Sequence, residues 1–264
     1  MTAVKQKVGA VFGIIAYITL LIGMNFYPKS YPVSNMNDDI HQQLVHYMET
    51  HRVEPSEPRI DSVWGFVPGL QGSEIDYELS YNNMLLNGSF DSSLLVCRAI
   101  NYEKSPEEFR ETPIYKGNEN GDYVSLLINV AWGEEELDKM LNILDRLGVR
   151  ATFFFEGRYA ENHKNQVQKI HEDGHVIGNH SYSHPSRWGS FTYEQYVDEI
   201  KKTNDVLKSI INEPITYFAP PAGEFNDRTL KAAYDQGMYS IMWTADTIDW
   251  KGGTADVLIN RVMK

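Results

Sequence analysis

From Tyr123 onward, short apolar runs alternate with longer amphipathic stretches, and glycines mark most of the changeovers. Residues 124–130 read as a buried strand, and residues 134–147 carry apolar side chains at helical spacing up to Gly148. The scheme repeats. Residues 151–155, 175–179, 215–218 and 239–243 predict strands. Between them, residues 163–173, 192–211 and 227–236 predict helices, the second capped by Thr192 and the other two stopped by Gly174 and Gly237. Strands that alternate with helices need crossover connections, which gives a parallel sheet or barrel whose chemistry gathers where the strands end. Ahead of this region a helix over 39–51 is closed off by Pro55 and Pro58, and residues 63–70, 75–79 and 94–99 predict short strands between glycines and prolines. The pattern divides the chain into 1–29, a small accessory segment with its linker over 30–117, and a main domain over 118–264.

Residues 8–24 form a charge-free apolar run preceded by Lys5 and Lys7, just long enough to span a bilayer as a helix. The lysines favour a cytoplasmic N-terminus, and no small-x-small cleavage site follows. The expectation is a single-pass membrane anchor with the main domain outside the cell membrane. The 264 residues, 42% of them hydrophobic, can bury one barrel-sized core together with a small accessory module. A net charge of −12 argues against nucleic acid or another polyanion as partner. Cys97 is the single cysteine, so an internal disulfide and a cysteine-built metal site are excluded; within its apolar run it reads as a small buried hydrophobe.

The candidate chemistry starts with His180 and His184, two imidazoles spaced four apart at the end of the 175–179 strand. Neutral imidazoles bind divalent ions of the zinc type, but two of them do not complete a site. Read along the strand ends, the chain supplies Asn129 to Gly133, Glu156 with Gly157, His180 to His184, Phe218 to Gly223, and Thr244 to Trp250. This series resembles the polysaccharide deacetylases, the carbohydrate esterases with NodB homology, over residues 123–264. Gly178 to Pro185 is similar to the second motif of that family, and Asp246 to Trp250 to its fourth. The resemblance implies an α/β fold with a distorted (β/α) barrel, preceded here by the membrane helix and a small α+β segment. It also implies hydrolysis of acetyl groups on amino sugars of peptidoglycan-like or chitin-like cell-wall polysaccharide. A divalent metal, zinc by preference, would be held by His180 and His184, with Pro221 in the groove wall and Trp250 at the acetyl pocket.

The departures from the family pattern carry as much weight. Two adjacent aspartates, a catalytic base and a third metal ligand, stand in the first family motif where this chain has Ala131 and Trp132. Neither side chain accepts a proton or donates an electron pair to a cation. The arginine that pairs with the base is replaced by Ala219. Asp249 matches the aspartate that tunes a general-acid histidine in a fifth motif, but no such histidine occurs up to Lys264. The expectation is therefore either a longer natural chain or a barrel without its closing strand. Glu156, at the end of the 151–155 strand, is the carboxylate placed to act as third ligand or substitute base; otherwise it is a rim glutamate paired with Arg158 or left in water. Two functions follow: a metal-dependent deacetylase with an unconventional base, or an inactive deacetylase-fold module that binds cell-wall glycan.

Overall fold

A computed structural model describes residues 35–263, so the 8–24 run lies outside the described residues; among these, no helix is long and apolar enough to cross a membrane. The chain falls into two compact units, one of residues up to 47 with 77–95, the other of 48–76 with 96–264. In chain order the first half carries α1 (Asn35–His51), β1 (Arg59–Asp61), β2 (Gly65–Val67), β3 (Gly72–Ile75), α2 (Tyr77–Asn87) and β4 (Cys97–Ile100). In the smaller unit α1 buries Ile40 and Leu44, and α2 buries Ser80 and Met84. The strand expected over 75–79 is instead the end of β3 followed by the first turn of α2. Ile75, Tyr77 and Leu79 alternate as a strand would, but the buried Ser80 and Met84 are one helical turn apart, and that period wins.

The larger unit holds two antiparallel ribbons, β1 with β2 and β3 with β4. Cys97 corrects the expectation of a buried thiol. It is exposed, because the two-stranded ribbon keeps its covered positions on β3, at Gly72 and Ile75, and leaves residues 97–99 of β4 open.

The rest of this unit alternates as the pattern predicts: β5 (Leu127–Val130), α3 (Glu134–Leu147), β6 (Thr152–Phe155), α4 (Gly157–Asn162), α5 (Lys164–Glu172), β7 (Val176–Asn179), α6 (Tyr193–Ile211), β8 (Tyr217–Phe218), α7 (Asp227–Asp235), β9 (Tyr239–Ser240) and α8 (Ala255–Val262). The five strands β5 to β9 are parallel and neighbour one another in chain order. The fold is α/β, and the described strands form a sheet with two edges. Val130 pairs with Phe155 and Phe155 with Asn179, so the first three strands end level and their following loops share one rim.

Strand β6 explains the layering. Phe153 and Phe155 face one side of the sheet and Phe154 the other, and all three are fully buried, as a strand covered on both faces requires. Phe153, Phe155, Trp188, Tyr196, Leu207 and Phe218 belong to one core cluster, with α6 laid across it through Ile200 and Leu207. The capping box of α6 joins Thr192 to Gln195. The stretch read as a linker also has a structural job: the Ile114 N–H donates to the Ser240 carbonyl at 2.8 Å, and its own carbonyl accepts from Met242 at 2.7 Å. It thereby pairs with the outer edge of β9.

The sequence pattern did not foresee α4, and it supports the rim. The Gly157 N–H donates to the Ser181 carbonyl at 2.9 Å, and a Cβ on Gly157 would lie 2.5 Å from the Tyr182 ring and 2.8 Å from Thr203 Oγ1. A Gly157→Ala substitution overpacks this contact and is expected to lower stability by about 1–3 kcal/mol, read as a shift in the urea unfolding midpoint.

Candidate functional site

His180 follows directly from β7, with its backbone N–H on the Phe155 carbonyl at 2.9 Å. Its ring is buried, and Nδ1 lies 2.8 Å from the carbonyl oxygen of Ala219, the residue after β8. A carbonyl oxygen only accepts, so Nδ1 carries the proton and the Nε2 lone pair is left free. Burial is the larger influence on this ring and pushes its pKa down to about 4; the Ala219 carbonyl pulls the other way. The imidazole is neutral at physiological pH.

The 180–184 loop is strained and closely braced. Ser181 and His184 both have left-handed backbones, with φ of 64° and 44°. Asn179 Oδ1 accepts from the Ser181 N–H at 2.8 Å, and Ser181 Oγ accepts from the His184 N–H at 3.1 Å. Glu199 on α6 does the rest. One of its carboxylate oxygens accepts from the backbone of Tyr182 at 2.9 Å and of Ser183 at 2.8 Å; the other accepts from the Ser183 hydroxyl at 2.8 Å. Asn179 Nδ2 donates to the Ile200 carbonyl and to Asn204 Oδ1, both at 2.8 Å. The result brings His180 and His184 together, with ring centroids 5.0 Å apart and planes 55° from each other. Sequence reading missed Glu199, Asn179 and Asn204. The available signal for Glu199 was a carboxylate beside the apolar stripe of Tyr196, Ile200 and Thr203 on a buried helix face.

The remaining candidates do not join the pair. The Glu156 carboxylate turns to the start of α4 and accepts from the Tyr159 N–H at 2.9 Å, with burial raising its pKa against the pull of that amide and of Arg158. The expected third ligand or substitute base is thus an N-cap, because a strand running straight into a helix presents unpaired N–H groups that claim the nearest acid. Asp249 is exposed and accepts from the Trp250 N–H at 2.8 Å, within its own short turn. Pro221 is buried at the head of the turn Pro221–Gly223. Trp250 is exposed, and Trp243, at the end of the apolar run 239–243, is half-buried against Gly223.

Where the family motif places two acids, Ala131 is half-buried and Trp132 is exposed, its indole perpendicular to the His184 ring at 6.0 Å. Among the described residues, no group of three His, Cys, Asp or Glu side chains is arranged to hold a metal ion. A catalytic zinc takes three protein ligands and a water. The donor set here has two imidazoles and does not fit that ion.

Residues 116–241 match the family model described as polysaccharide deacetylase. The Bacillus subtilis protein YlxY is 38% identical over 231 residues, which cover 88% of this chain and 72% of that protein. Among solved structures, wild-type BA3943 from Bacillus anthracis, described as a CE4 family pseudoenzyme, is 38% identical with a TM-score of 0.77, covering 86% of this chain and 80% of that one. A BA3943 mutant described as having restored enzymatic activity is 36% identical with a TM-score of 0.76, covering 86% and 83%. A peptidoglycan-N-acetylglucosamine deacetylase of Bacillus cereus is 36% identical over 149 residues, 56% of this chain and 54% of that protein, so the chain spans about half the length of this relative. The chain belongs to the polysaccharide deacetylase family, the CE4 carbohydrate esterases.

His180 supplies a pH test. Its folded pKa of about 4 lies below the ordinary value of 6.5, so the unfolded chain binds the proton first as pH falls. This contribution to stability is complete above pH 6.5 and shrinks toward pH 4, by on the order of 3 kcal/mol in total. Urea unfolding at a series of pH values should show the loss, and a His180→Gln variant should lack that part of the slope.

Proposed function

We propose that this domain engages acetylated cell-wall glycan, of the peptidoglycan or chitin kind, without hydrolysing it. One observation carries the reading: Ala131 and Trp132 occupy the positions of the base and of the acidic metal ligand, and no neighbouring carboxylate replaces them among the described residues. A general base contributes about 10²–10⁴-fold to such a reaction, and metal activation of water several kcal/mol more. The pseudoenzyme description of BA3943 supports the same reading. A second reading, a zinc-dependent deacetylase with an unconventional base, keeps one observation in its favour. The two imidazoles still lie 5.0 Å apart, and His180 keeps Nε2 free of a proton because the proton is fixed on Nδ1. Pre-steady-state and steady-state release of acetate from an acetylated chito-oligosaccharide, with zinc added, separates the two. Background release is the expected result, and metal-dependent turnover would establish the second reading. The variant carrying Ala131→Asp and Trp132→Asp should retain about one zinc per chain through dialysis, while the unaltered protein loses it.

The proposed setting is the outer face of the cell membrane, with residues 8–24 as a single-pass anchor. The charge-free run behind two lysines supports it. Full-length protein should stay with membranes under alkaline carbonate and be released by deletion of residues 1–29; full extraction of the intact chain would refute the anchor.

A further inference from the structure

We propose that Trp132 is a carbohydrate platform: its indole stacks on the apolar face of a neutral pyranose ring, in a β-linked chain of N-acetylhexosamines. The inference rests on the glycan-binding reading above and assigns the contact that performs it.

The indole sits where the metal-binding acid of the family would be, yet it does not fill a gap. Trp188, the core tryptophan, is 1% exposed, whereas Trp132 is 64% exposed. A side chain that only plugged a lost metal site would be buried against the two histidines. Instead, Trp132 meets His184 edge to face at 6.0 Å, a contact that favours one orientation and leaves most of the residue in solvent. The backbone of His184 is tied to the Ser181 hydroxyl, and the two residues before it to Glu199. An aromatic surface oriented before the ligand arrives loses little freedom on binding, which is what a stacking platform needs.

The surroundings select the ligand. Gly133, next in the chain, has a left-handed φ of 85°, and beyond its two chain neighbours no atom lies within 4 Å of the place a Cβ would take. Ala131 puts a methyl group where the catalytic acid would stand, which removes the charge that would call for a cation. The proton of His180 is on Nδ1, against the Ala219 carbonyl, so its Nε2 is an acceptor for a sugar hydroxyl or an acetamide N–H. The protein carries a net charge of −12, which repels polyanions and leaves neutral sugars as the matching class. An uncharged pyranose with one apolar face and an acetamido group meets each of these conditions.

The test is titration of the full chain with the hexamer of β-1,4-linked N-acetylglucosamine, followed by calorimetry and by tryptophan fluorescence. Trp132→Ala should weaken binding about tenfold, and Trp132→Phe by less, because a smaller ring keeps part of the stack. Trp64→Ala, which removes a tryptophan from the β1–β2 connection, should bind as the unaltered protein does. Melting temperatures of all variants are measured alongside, and Trp132→Phe carries the comparison if the alanine variant does not fold. Equal binding by the unaltered protein and both Trp132 variants overturns the platform while leaving glycan binding in place. An equal loss in Trp64→Ala also overturns it. If the unaltered protein does not bind the hexamer, both the platform and the glycan-binding reading fall.

Discussion

The hydrogen bond from His180 Nδ1 to the Ala219 carbonyl joins the ends of two neighbouring strands through a side chain, and the rim is organised around it. It fixes the tautomer of a buried imidazole, sets the direction of its free nitrogen and stabilises the loop that follows β7. The reciprocal bond, from the Ala219 N–H to the Asn179 carbonyl at 2.9 Å, makes the junction two-sided. A buried ring without that carbonyl would carry an unsatisfied N–H in a closed core, at a cost of about 1–3 kcal/mol. The histidine therefore has a structural reason to be kept that is independent of any reaction.

This separates two layers that the family normally joins. The supporting layer is complete: Asn179, Glu199 and Asn204 satisfy the loop, and two left-handed residues are held in place by the bonds around them. The reacting layer has lost its acids, and the positions they vacated are occupied by a methyl group and an exposed indole. Because the support involves backbone amides and α6, it is unaffected by what stands at residues 131 and 132. The residues at the reaction positions can thus differ without any change in the framework beneath them.

Much of the main domain was legible in the sequence because its inner strands are apolar and three of its helices are stopped by glycine, although the run read as a buried strand over 124–130 pairs only over Leu127–Val130 and leaves Val124 exposed. The α3 boundaries agree with the pattern to the residue, and Gly148 closes the helix in a left-handed conformation. The β8 and β9 strands are shorter than the apolar runs that predicted them, since apolar character reports burial and not hydrogen-bond pairing. In the accessory region, elements of three or four residues leave too short a pattern to read, and the first turn of α2 was taken for part of a strand. At the site, the histidine pair was visible from spacing. The role of Glu156 was not, because a helix of six residues, α4, gave no periodic signal to show which amides its carboxylate would meet. Glu199 lies far from the loop in sequence, and only the packing of α6 brings it there.

The pairing of Ile114 with β9 has a consequence for how the molecule can be divided. Strand β9 has only two residues, and on its outer side the Ser240 carbonyl and the Met242 amide are satisfied by a segment that precedes the first strand of the parallel sheet. The same segment is held on its other flank by the Phe66 N–H, which donates to the Pro113 carbonyl at 3.0 Å. Cutting the chain between this segment and β5 would leave a bare sheet margin, which is a template for self-association. The segment around Ile114 thus acts as a selvedge for the larger sheet, just ahead of the residues that match the family.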